Sequence, residues 1–270
     1  MLRSMYSGIS GMKGFQTKLD TIGNNIANVN TYGYKKGRTT FQAMMSQTIS
    51  GAQGAADNGR GGVNPSQVGL GSKLGTIDTI HTQGNRQSTE RPLDLAIEGD
   101  GMFVLSETGE GNVMNTPLSF TRGGNFYLDE NGDIVSGNGQ YLVGESGKIT
   151  IPETAQSFSI QSDGTVTFVE DNEAKVAGQI QLANFSNPDG LEKIGSNMYR
   201  ATNNSGEFVE FVTPGENGAG QTVAGALEMS NVDLSEEFTE MITAQRGFQA
   251  NTRIITTSDE ILQELVNLKR

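Results

Sequence analysis

Two amphipathic segments at the ends of the chain enclose a long interior that reads as strand and turn, and this arrangement restricts the fold. Helices at both termini of one chain are placed to pair with each other. In the first segment Leu2, Met5, Ile9, Met12, Phe15, Leu19, Ile22, Ile26 and Val29 lie three or four residues apart, a near-heptad stripe with one three-residue slip. Gly8, Gly11, Gly14 and Gly23 interrupt it, and each costs roughly 1 kcal/mol of helix stability relative to Ala. Alone in water this segment is marginal, so it is expected to need a partner before it becomes a helix.

The C-terminal segment offers one. Leu234, Met241, Phe248, Ile255 and Leu262 recur every seven residues. Phe238 and Val266 hold the companion position, which Gln245, Thr252 and Asp259 also occupy, and Leu265 adds an apolar residue near the end. Phe248, central in the series, is expected to be fully buried between helices. Asp233 followed three residues later by Glu236 reads as an N-cap with a capping box. Lys269 and Arg270 lie where cations complement the helix dipole. A helix from about Leu234 to the end follows. The glycine load and the terminal placement of both stripes favour packing between molecules over an ordinary globular core.

The interior divides by composition. Asn30-Thr31-Tyr32-Gly33 is turn chemistry, and Tyr34-Lys35-Lys36-Gly37-Arg38 is a small basic cluster. From Ser50 to Gly75 the chain is rich in Gly, Ala, Asn, Ser and Gln, the composition of a mobile or extended connector. Beyond it short apolar runs alternate with turns: Leu93–Ile97, Met102–Leu105, then Phe126–Leu128 and Ile134-Val135 about the turn Asp129–Asp133. Strands are also expected at Lys148–Ile151, Ser157–Ile160, Thr165–Val169 and Gln179–Ala183. The fold expected is α+β, with helical termini over 1–30 and 231–270, an extended Gly-rich connector over 31–75, and a mainly β domain, a sandwich or rolled barrel, over 76–230.

Chemistry is poorly represented. The net charge of −12 opposes binding to nucleic acid or to an anionic membrane surface. Cysteine is absent, which removes disulfides and thiolate chemistry. No apolar run reaches the roughly 18 residues of a membrane span. The N-terminus lacks the basic-then-apolar layout of a cleaved signal. His81 is the one imidazole and sits in an ordinary strand context, so it reads as structural. Asp129, Asn131 and Asp133 alternate like calcium ligands, but Ile134 and Gln140 stand where a calcium loop needs Gly and Glu, leaving a solvated hairpin turn. Gly137-Asn138-Gly139 lacks the third glycine and the helix of a dinucleotide fingerprint. No catalytic, cofactor-binding or metal-ligating residue is assigned, and no enzyme activity or cofactor is expected.

Three separated runs carry a resemblance. The first is Asn24-Asn25-Ile26-Ala27-Asn28-Val29-Asn30-Thr31-Tyr32-Gly33-Tyr34-Lys35, with Asn24, Asn25, Asn28, Thr31, Gly33 and Lys35 as its motif residues. The others are Asp94–Phe103 with Phe120–Phe126, and Glu240–Asn251 with Ile255–Leu265. Together they resemble the bacterial flagellar axial proteins, the rod and hook subunits. The resemblance implies terminal helices paired as a coiled coil lining a helical tube, a β domain facing outward, and Asn24, Asn25 and Asn28 capping or cross-linking the helix end. Leu2, Met5, Ile9, Met12, Leu19, Ile22, Ile26, Leu234, Phe238, Met241, Phe248, Ile255, Leu262 and Leu265 would form the subunit-packing seam. It also implies many copies of the chain as partners, with other axial and junction proteins and the hook cap. Export would run through the flagellar type III apparatus without a cleaved signal, to a site outside the cytoplasmic membrane, with neither nucleic acid nor membrane insertion. The Gly-rich first helix would then stay unfolded until the growing tip supplies a partner. Val232–Phe238 and Leu262–Arg270 are most similar to the short hook proteins of Gram-positive bacteria, which makes a bending universal joint the first expectation and the distal rod, a drive shaft, the alternative. A β-domain adhesin with oligomerising helices is a different class with the same composition.

Copies of a −12 chain packed side by side repel, and salt screens that repulsion over about 10 Å at 0.1 M. Polymerisation followed by light scattering is expected to strengthen from low to moderate ionic strength. A steady weakening would mean that specific ion pairs dominate.

Overall fold

The computed structural model describes residues 2–54, 61–108, 117–206 and 211–268, with the side chain of Leu2 excluded. Gly59 of the connector and the helix-terminal Lys269 and Arg270 lie outside the described residues. The protein is α+β, with helices at both termini and a mainly β central region. It divides into two compact units: Met1–Ala27, Gly37–Thr79 and Asp233–Arg270 form one, and Asn28–Lys36 with Ile80–Val232 the other.

The first unit is built on helices α1, Leu2–Ala27, and α2, Leu234–Leu268. Asp233 starts α2 as read from sequence: its Oδ1 accepts from the N–H groups of Ser235 (2.8 Å) and Glu236 (3.4 Å). The helices run antiparallel, because Asn25 meets Glu237, Lys18 meets Glu240, and Gly8 lies against Ile255. Residues read by composition as connector carry structure. Strand Gly37–Ala43 pairs antiparallel with Ser72–Thr79, and Ser46–Ser50 pairs with Ser66–Gly69. Threonines set the first ribbon, where Thr40 and Thr76 hydroxyls meet at 2.7 Å across the strands.

The β unit holds the core. Its largest sheet runs in the order Glu192–Gly195, Met198–Arg200, Leu118–Thr121, Met102–Ser106, Tyr141–Gly144, Ile134–Ser136 and Phe126–Leu128, with Gly147–Lys148 and Leu182–Ala183 attached at its middle. Its two end strands do not pair with each other, so this sheet is open and not a rolled barrel. Ser157–Ile160, Thr165–Glu170 and Glu173–Gln179 make a separate three-stranded meander. Strand Met102–Ser106 is buried on both faces, which accounts for its unbroken apolar run. Phe103 and Leu105 enter one cluster with Leu95, Phe126, Leu142 and Ile180, and Met102 and Val104 enter another with Phe120, Val143 and Tyr199. Phe103 meets Phe126 edge to face at 5.2 Å, and Phe120 meets Phe185 at 4.8 Å. The turn at 129–133 joins Phe126–Leu128 to Ile134–Ser136 as expected, but Asp133 is fully buried and not solvated. It accepts from Lys148 Nζ (2.9 Å) and from the Thr150 hydroxyl.

The glycines of α1 have a use beyond weakening the helix. A Cβ at Gly11 would stand 2.9 Å from the Asn251 amide nitrogen on α2, so its absence permits close approach. Gly23 has nothing within 4 Å. Gly23→Ala is therefore expected to raise unfolding stability by up to about 1 kcal/mol, while Gly11→Leu lowers it by about 1–3 kcal/mol through overpacking. Denaturant melts of the two variants check this. Equal gains from both would mean that the Gly11 contact does not matter.

Candidate functional site

In the first unit the candidate site is the paired helices. Helix α2 buries within one chain a different line from the one read as the seam between subunits. Its buried residues are Glu237, Ala244 and Ser258, with half-buried Asn251 completing the seven-residue spacing. Glycines permit the close approach: Gly8 and Gly11 of α1 lie against Asn251, and a Cβ at Gly247 would stand 2.5 Å from the Phe15 ring. The large apolar line lies beside the buried one, with Ile255 still against Gly8 of α1. Met241, Phe248, Ile255 and Leu262 are half-buried and Leu234 is exposed, so Phe248 is not fully enclosed within one chain. Phe238 is 50 % exposed and Leu265 49 %. On α1, Ile22 is buried, Met5, Ile9, Met12, Leu19 and Ile26 are half-buried, and the Leu2 side chain lies outside the described residues.

The asparagine motif is split between the units. Asn25, buried at the end of α1, donates to Gly37 O (2.9 Å) and Glu237 Oε2 (3.2 Å), while its Oδ1 accepts from Gly37 N (2.9 Å). It cross-links α1 to the first ribbon and to α2. Asn24 is exposed on the same helix. In the β unit Asn28 Oδ1 accepts from the Thr31 hydroxyl at 3.1 Å. Gly33 has φ +68, and a Cβ there would press on the Arg122–Gly123 backbone, so the position requires glycine.

Lys35, read from sequence as one of a small basic cluster, is wholly buried. Its Nζ donates to Glu228 Oε1 (2.6 Å) and to Thr82 O (2.8 Å). The other oxygen of Glu228 accepts from Arg122 Nη1 at 3.1 Å, and Arg122 Nη2 donates to Gly99 O at 2.7 Å. Glu228 Oε1 accepts again from Gly84 N, and Glu228 O from Gly33 N. Burial pushes the Lys35 ammonium below its ordinary range and Glu228 pulls it back. Asn231 reinforces the junction: its Oδ1 accepts from Lys36 N (2.8 Å) and its Nδ2 donates to Ile80 O (2.8 Å). His81 stands nearby with its ring 5.5 Å from Tyr199, held near pKa 4 by burial and then by Lys35, Lys193 and Arg122. Neither Glu228 nor Asn231 was singled out from sequence. Glu228 gives only a faint signal, one carboxylate ending the short strand Ala226–Glu228.

Among the described residues no group of three or more His, Asp or Glu is placed to hold a metal ion. Nor, among the described residues, is any helix long and apolar enough to cross a membrane. Helices that pack by close approach in one unit, and buried charges that hold segments together in the other, define a structural subunit. Three family descriptions match along the chain: "Flagella basal body rod protein" at residues 5–35, "Flagellar hook protein FlgE/F/G D1 domain" at 96–168, and "Flagellar basal body rod FlgEFG protein C-terminal" at 223–268. The chain is 59 % identical over 272 residues to the flagellar basal-body rod protein FlgG of Bacillus subtilis, covering all of both chains. To FlgG of Caulobacter vibrioides it is 40 % identical over 275 residues, covering 99 % of this chain and 100 % of the relative. To the flagellar hook protein FlgE of Borreliella burgdorferi it is 32 % identical over 443 aligned residues, covering all of both. The chain belongs to the flagellar FlgE/F/G family of rod and hook proteins, a family of structural proteins and not of enzymes. The distal-rod alternative fits these relatives better than the hook preference drawn from the end motifs, since the rod relatives align over nearly this chain's own length and the hook relative does not.

Removing one partner from a buried ion cluster leaves the others charged and unpaired. Glu228→Gln is expected to cost about 3–5 kcal/mol of unfolding stability, measured by urea melts. A loss under 1 kcal/mol would mean that water reaches Lys35 and Arg122.

Proposed function

We propose that the chain is a subunit of the distal rod of the flagellar basal body, a stiff helical tube that carries torque outward. The observation that carries this reading is the 59 % identity to a basal-body rod protein along both whole chains. Many copies of the chain are its main partners, with other axial and junction proteins at the ends of the tube, and it lies outside the cytoplasmic membrane after passage through the type III export apparatus. The terminal helices pair as a coiled coil lining the tube. Support for packing between copies comes from the first unit, where apolar residues stay open: Phe238 at 50 %, Ile242 at 53 %, Val266 at 67 % and Met45 at 86 %. The seam that serves assembly is then the exposed and half-buried line Leu234, Phe238, Met241, Phe248, Ile255, Leu262 and Leu265, with the half-buried α1 residues beside it. The ribbons over 37–50 and 66–79 are short two-stranded elements that gain order from neighbours, and as rod parts they lock copies together.

The purified protein is expected to polymerise into straight tubes in electron micrographs. Curved, supercoiled tubes would restore the hook reading. Phe238→Ser, at a half-exposed position, is expected to leave the monomer folded by circular dichroism while raising the critical concentration for polymerisation at least tenfold. Unchanged assembly would remove Phe238 from the seam.

A further inference from the structure

We propose that His81 is an acid trigger in the β unit, whose protonation opens the junction where the Asn28–Lys36 segment is held against Glu228. This inference rests on the buried junction alone and not on the rod reading. The Nδ1 atom of His81 is buried and has no hydrogen-bond partner. A proton placed there would be a cation without an acceptor, in a place already rich in cations. Lys35 and Arg122 share the single carboxylate of Glu228. Lys193 approaches from strand Glu192–Gly195, donating to Lys35 O at 3.3 Å and lying 5.2 Å from the centre of the Tyr34 ring. The Tyr199 phenol beside the imidazole is pushed above its ordinary range, so it supplies no anion. Asp100 lines the same cavity of about 250 Å³ as His81 and Arg122 and is exposed. Three cations thus face the imidazole against one buried carboxylate.

The closed junction holds the imidazole near pKa 4, whereas an opened one returns it to about 6.5. The folded-state value is depressed, so the open form binds more protons between those limits. Opening is therefore favoured as pH falls through that window and is silent above it. From pH 7.5 to pH 5 the opening equilibrium shifts by up to about 30-fold. The segments that would open are those joined at Glu228: the amides of Gly33 and Gly84, with the Ile80 amide bonded to Lys36 O. The paired strands Met102–Ser106 and Leu118–Thr121 carry no such charge and stay closed.

His81 is the chain's only histidine, so its imidazole resonances are unambiguous in a titration of the full-length protein. The experiment pairs that titration with hydrogen exchange at pH 7.5 and pH 5, each amide normalised to its intrinsic rate. The expected result is an imidazole that stays neutral to below pH 5 while closed. With it, protection at Gly33, Ile80 and Gly84 falls at least tenfold at pH 5, with no change at Phe103–Leu105. His81→Gln is expected to abolish that fall. An imidazole titrating near 6.5 with protection intact, or an equal fall in His81→Gln, would overturn the proposal. If the variant does not fold, the wild-type titration and exchange decide it by themselves.

Discussion

Glu228 is the contact on which the β unit depends. Its two carboxylate oxygens receive Lys35, Arg122 and the Gly84 amide, and its backbone oxygen receives Gly33. Three stretches far apart in sequence, at 33–35, 84 and 122, therefore end on one residue. Two buried cations on one carboxylate give little net stabilisation against an apolar alternative, since desolvation consumes most of the Coulombic gain. What such a cluster supplies is definition. An apolar substitute could slide, whereas the fork of Arg122 and the tether of Lys35 fix where the Asn28–Lys36 segment lies.

The helices were legible because heptad spacing and the Asp233 cap are local signals. The face along which they pair was not. Leu234, Met241, Phe248, Ile255 and Leu262 form the most apolar line, and an apolar line is the natural candidate for a seam. Within one chain the glycines at 8 and 11 and the small residue Ala244 bring a second, less apolar line into the contact beside it. Sequence shows the glycines but not which partner they meet. Strand Met102–Ser106 was legible from its apolar run, and the 129–133 turn from its composition. The ribbons at 37–50 and 66–79 were hidden because Gly, Ser and Gln carry no period-two pattern. Lys35 was visible as a residue of the motif but its burial was not, since its partner stands 193 residues away.

The end motifs favoured the hook where the relatives fit the rod alternative better, for a different reason. The motif residues Asn25, Gly33 and Lys35 are engaged in holding a chain's own segments together, at Gly37, Arg122 and Glu228. Internal fastenings of that kind suit any member of the family and cannot tell a stiff tube from a bending one. The distinction lies in overall likeness and in length, where the hook relative aligns over 443 residues and the Bacillus subtilis rod protein over 272.

The inverted helix pair ties the first unit's folding to assembly. In an ordinary antiparallel pair the largest apolar side chains lie between the helices and supply most of the stabilisation. Here the wholly buried positions of α2 are Glu237, Ala244 and Ser258, none of them a large apolar side chain. At about 25 cal/mol per Å², burial of the exposed Phe238, Ile242, Ile261 and Leu265 is a hydrophobic term that one chain by itself lacks. The helix propensity lost to Gly8, Gly11, Gly14 and Gly23 adds to the deficit. A pair shaped in this way is held in place by specific polar contacts at Asn25, Lys18 and Glu237 but is weakly stabilised by itself. In the rod proposed above, covering its outer apolar line supplies that hydrophobic term, so the folding of the terminal helices and polymerisation draw on the same buried surface.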